Sequence, residues 1–124
     1  MRLLPVLMLL SLPATASAAS GELDVAVLQG LDKITARITT IEAPLGQAVS
    51  FGTLRIVARR CVTRPPEEPP ESTAYLEISE KRQGERERRI FAGWMFASSP
   101  AISSMEHPVY DVWVISCRKA SSSS

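Results

Sequence analysis

His107 is the single histidine in 124 residues, and that scarcity removes whole classes of chemistry. A zinc site draws on several nitrogen and sulfur ligands, and one histidine with two cysteines is a poor supply. Glu67, Glu68 and Glu71 gather in one stretch, but no Asp-rich loop with a glycine turn surrounds them, so they read as a solvated acidic loop. No Gly-x-Ser-x-Gly elbow frames any serine. No Cys-x-x-Cys pair is present, which argues against a redox-active dithiol. No metal, no cofactor and no catalytic residue is therefore expected.

Charge of one sign is also missing. Fourteen Lys and Arg stand against thirteen Asp and Glu. A nucleic-acid binder shows a basic excess on one face, so nucleic acid is not an expected partner. Beyond the first dozen residues no apolar run approaches the roughly 18 residues of a membrane span.

The first dozen residues are the exception. Met1-Arg2 gives a positive start, Leu3 to Leu12 is apolar but short, and Ala16-Ser17-Ala18 is a small-x-small cleavage site. Residues 1–18 therefore read as a helical signal peptide, with a mature start at Ala19 and a periplasmic destination. Cleavage removes Arg2 and leaves thirteen charges of each sign. About 106 residues remain, one small domain. In an oxidising compartment Cys61 and Cys117 are expected to pair; two buried thiols are the alternative.

The mature chain repeats with period two. Residues 19–30 form an N-terminal arm, in which Val25, Leu28 and Leu31 also fit a short helix. Residues 31–118 form the β-domain, and 119–124 a disordered tail. From Lys33 to Ile41, Ile34, Ala36 and Ile38 alternate with polar neighbours and are expected inward. Ala48–Phe51 is a short strand before Gly52. In Leu54–Thr63, Leu54, Ile56 and Ala58 take one face, Val57 and Cys61 the other. The proline-rich stretch 64–71 is an extended connector rather than a partner's polyproline ligand. Ala74, Leu76 and Ile78 point inward from the next strand, and 81–89 is a charged hairpin tip around Gly84. Ile90–Ala97 is apolar on both faces and reads as a central strand. Ser99 and Pro100 open one helical turn, and Val109–Cys117 is the last strand. About six strands with Pro and Gly punctuation make a single all-β antiparallel domain, a small barrel or sandwich.

Gly93-Trp94-Met95-Phe96-Ala97-Ser98-Ser99-Pro100 followed by Glu106-His107-Pro108-Val109-Tyr110-Asp111-Val112-Trp113 resembles the uncharacterised bacterial family DUF2155, found mainly in alphaproteobacteria. Phe51-Gly52-Thr53-Leu54 and Cys61 with Arg64-Pro65-Pro66-Glu67-Glu68 resemble it too. The likeness covers about Leu31 to Cys117. It implies an exported single-domain protein with Cys61 and Cys117 paired, and it transfers no activity.

The candidate ligand or partner surface is Tyr110, Trp113, His107 and Trp94. Trp94 shares a face with Ile90 and Phe96 and favours the core. Tyr110 and Trp113 fall on opposite alternations, so one of them is expected at the surface. A hydrolase would pair His107 with Ser98, Ser99, Ser103 or Ser104 and with Asp111; a turn histidine bonded to backbone is favoured over it. The functional expectation is a non-catalytic periplasmic module that meets an envelope protein. A small-ligand or glycan binder is the alternative, and a hydrolase ranks third.

Overall fold

The computed structural model describes residues 2, 3, 5, 8, 10, 11 and 23–120. The expected cleavage site and most of the leader lie outside the described residues, as does 121–124 of the expected tail. The six described leader residues lie in no helix or strand. Seven strands follow: β1 Val25–Asp32, β2 Arg37–Pro44, β3 Ala48–Phe51, β4 Leu54–Thr63, β5 Ser72–Glu80, β6 Arg88–Phe96 and β7 Tyr110–Arg118. A single 3₁₀ turn, Pro100–Ser103, precedes β7. Among the described residues no helix is long and apolar enough to cross a membrane.

The strands form two antiparallel sheets, ordered β2-β1-β7 and β3-β4-β5-β6, that pack on each other without closing into a barrel. The alternation explains the core between them. Leu54, Ile56 and Ala58 from β4, Ala74, Leu76 and Ile78 from β5, and Val112 and Val114 from β7 are all buried. Ala26 and Leu28 of β1 and Ile41 and Ala43 of β2 close it from the other side. Cys61 and Cys117 are joined by a disulfide, with Cα atoms 5.7 Å apart and a sequence separation of 56.

Several expectations need correction. Val25–Asp32 is the middle strand of the three-stranded sheet, not an arm. Val25, Leu28 and Leu31 share a helical spacing, but the strand alternates strictly, with Ala26, Leu28 and Gly30 buried; the register shift beside Val27/Leu28 lies on β7, where Ile115 is the extra residue. The next stretch has the opposite frame to the one its alternation suggests. Asp32 Oδ1 accepts the Ile34 and Thr35 N–H groups and Ala36 takes φ +58°, so residues 33–36 are a turn. Ile34 and Ile38 are 76% and 57% exposed, while Ile41 and Ala43 point in. In β4, a bulge between Ala58 and Arg60 shifts Cys61 onto the core face. Finally, β6 is an edge strand. Its second apolar face is accounted for by Trp94 packing edge-on to Tyr75, ring centres 5.5 Å apart. Trp94 is 38% exposed, not core, and the 3₁₀ turn packs against β6. Ser99 makes no side-chain capping bond to that turn.

At one end of the sandwich two rings interlock with two glycines. A Cβ on Gly30 would lie 2.7 Å from the Phe51 ring, and one on Gly52, at φ +58°, would fall onto the phenol of Tyr110. Phe51 and Tyr110 meet edge to face, 5.3 Å between centres. Gly52→Ala therefore adds left-handed strain to a collision, and is expected to destabilise by about 2–4 kcal/mol. Urea denaturation of the variant beside the parent protein checks this; an unchanged midpoint would contradict the interlock.

Candidate functional site

The alternation that sends Ala74, Leu76 and Ile78 inward sends Glu80 in as well. Its carboxylate is buried, and so is the His107 ring. His107 Nε2 lies 2.7 Å from Glu80 Oε2. His107 Nδ1 accepts the backbone N–H groups of Val109 and Tyr110, at 3.0 and 3.1 Å. Nδ1 thus acts as acceptor, the ring proton sits on Nε2, and the ring donates to Glu80. Thr53 Oγ1 donates to the same carboxylate oxygen at 2.9 Å. Arg82 and Arg88 stand 3.3 and 3.8 Å from the other oxygen.

Pro108 and the turn of backbone after it explain this geometry. A residue before proline is held extended, and the chain then bends so that two successive N–H groups face the ring that precedes them. Both ring nitrogens are consequently engaged. A general base needs one nitrogen free to face its nucleophile, so the pair is built as a polar brace. Among the described residues no group of three His, Cys, Asp and Glu side chains gathers to hold a metal.

Burial pushes the Glu80 carboxyl up, but the bonds from His107 and Thr53 and the nearby Arg82 charge outweigh it, and it titrates below its ordinary value. At the opposite end of β5, Glu71 is also lowered, chiefly by the Ser98 hydroxyl and then by the Ser98 N–H. A carboxyl lowered in the folded state stabilises above its unfolded value and loses that stabilisation as pH falls through the folded one. Thermal stability is therefore expected to decline on the acid side of the ordinary carboxylate range. Glu71→Gln should flatten that decline, which melting curves across pH will show; a profile identical to the parent protein's would count against the Ser98 clamp.

The expected surface residues divide. His107 and Tyr110 come together, ring centres 5.3 Å apart. His107 and Trp113 line two adjoining depressions, of about 510 and 280 Å³, that share Ser104 and Asp111. Trp94 lies on the other sheet, beside Tyr75. Tyr110 packs against the core and Trp113 faces out, half-buried. Glu80, Thr53 and Lys33 were missed. The signal for Glu80 was present: it continues the inward parity of Ala74, Leu76 and Ile78. Lys33 donates to the His107 carbonyl at 2.8 Å, a contact across 74 positions that no local pattern announces.

The family described as "Uncharacterized protein conserved in bacteria", DUF2155, matches residues 26–117. The chain belongs to this family. The match begins and ends on a cross-strand couple, since Ala26 of β1 pairs with Cys117 of β7. It therefore takes in the core, the disulfide and the Glu80–His107 brace. An uncharacterised protein of Rickettsia prowazekii (strain Madrid E) is 30% identical over 87 residues, 70% of this chain and 56% of the relative. The chain thus spans little more than half the length of that relative. No solved structure matches. The resemblance to DUF2155 read from the sequence holds, and the family brings no activity with it.

Proposed function

We propose that the domain is an exported, non-catalytic interaction module that docks an envelope protein on the outer face of its three-stranded sheet. The observation that supports this is the character of that face. Leu31 and Ile38 are direct cross-strand partners there. Trp113 lies on the same face, opposite Gln29, and Ile115 follows at 39% exposure. Antiparallel sheets that end at solvent carry polar residues on the open side; here Gln29, Thr40 and Glu42 are interleaved with the large apolar side chains of Leu31, Ile38, Trp113 and Ile115, which is the mixed composition of a contact surface. The signal-like leader supports export, and the fully engaged His107 removes the residue a hydrolase would need.

Photo-crosslinking in intact cells tests both parts. A crosslinking residue at Ile38 should give a discrete adduct, and one at Ser50, on β3 of the other sheet, should not. Protein recovered from the envelope should begin at Ala19 by mass spectrometry. An uncleaved Met1 start would overturn export, and the absence of any Ile38 adduct would overturn the docking face.

A further inference from the structure

Asp111 is a carboxylate without a counter-charge. It is half-buried at the start of β7 and, among the described residues, has no hydrogen-bond or ion-pair partner. It lines both depressions, and Trp113 walls the smaller one beside Pro100. The two residues alternate with the inward Val112, so their side chains leave the strand on the same side, about 7 Å apart along it. Glu106 lines the larger depression and is likewise unpaired. Lys33, the cation lining that depression, has its ammonium on the His107 carbonyl.

An indole face is electron-rich and attracts cations. A partly dehydrated carboxylate without a donor asks for the same partner. The two features are independent, and they meet in one groove. A guanidinium satisfies both at once, because its plane stacks on the ring while its edge offers two N–H groups to the carboxylate. An ammonium supplies the charge without the plane.

We propose that this groove takes an arginine side chain from an extended segment of the docked partner, with the guanidinium between the Trp113 ring and the Asp111 carboxylate. The proposal rests on the interaction-module reading and names the partner's chemistry. Asp111 is a specificity residue in this scheme, and the fold does not depend on it.

The test titrates the full chain, carrying Trp94→Phe so that Trp113 alone reports, with blocked Gly-Arg-Gly, Gly-Lys-Gly and Gly-Gln-Gly peptides. The arginine peptide should change Trp113 fluorescence saturably in the millimolar range, ahead of lysine, with no response to glutamine. Asp111→Asn should weaken arginine binding by about fivefold and leave the unfolding midpoint unchanged. An equal response to the glutamine peptide, no saturation with arginine, or unaltered binding in Asp111→Asn would each overturn the proposal. Saturable arginine binding without an Ile38 adduct supports the guanidinium site and sinks the docking-face reading. An adduct without arginine binding does the reverse.

Discussion

His107→Ala is expected to destabilise the domain by about 3 kcal/mol, the low end of the range for breaking a buried polar pair. The loss has two parts. Glu80 keeps a buried carboxylate but forfeits its 2.7 Å donor, and the N–H groups of Val109 and Tyr110 lose their acceptor. Thr53, Arg82 and Arg88 remain on the carboxylate, which holds the figure at the low end. Denaturant titration measures it directly, as a lower midpoint with an unchanged slope. Glu80→Ala should be similarly severe, since it leaves the His107 Nε2–H without an acceptor. The double variant should cost less than the two singles summed, because they remove one shared interaction. Full additivity would mean that the two side chains act independently.

Removing the disulfide should have an effect of comparable size. Cys61 and Cys117 lie 56 positions apart, and closing a loop of that length restricts the unfolded chain by about 4 kcal/mol at room temperature. A domain this small has about 5–15 kcal/mol in total. Reduction, or joint replacement of Cys61 and Cys117 by alanine, should therefore shift the denaturant midpoint far enough to leave a measurable unfolded fraction on mild warming. Non-reduced peptide mapping should recover Cys61 and Cys117 in one cross-linked fragment. A midpoint indifferent to reductant would show that the unfolded chain retains structure around the bond.

The fold was legible wherever one sheet face met the core without interruption. Leu54, Ile56, Ala58, Ala74, Leu76 and Ile78 all lie where their alternation puts them. Legibility failed at bulges, because one extra residue inverts the parity of everything after it. That is why Cys61, beyond the extra residue Arg59 of β4, lies inward against its apparent alternation; β1 carries no such insertion, and its spacing of Val25, Leu28 and Leu31 fits a helix only because Ala26 and Gly30 are small. It failed again at Asp32, where a side-chain-to-backbone turn delays the next strand to Arg37, four residues after the start that the alternation suggests. The edge position of β6 depends on sheet order, which no local pattern encodes. For the site, the sequence pointed to His107, Tyr110 and Trp113 but not to what holds them. Glu80 is 27 residues from His107 and Lys33 is 74, so the brace exists only once the sheets have met.

The covalent link and the polar brace sit at opposite ends of the same strand. Cys61 pairs beside Ala74 near the start of β5, and Glu80 closes its finish. The sandwich is thus latched twice, by fastenings that open to different keys: a reductant frees only the disulfide end, and acid frees the Glu80 end together with the Glu71–Ser98 contact beside the disulfide. Either alone should let one end gape while the other keeps the sheets aligned. Amide exchange would see reduction as protection lost around Cys61 and Cys117, and acid as protection lost around Glu80 and His107 and around Glu71 and Ser98 while the disulfide holds.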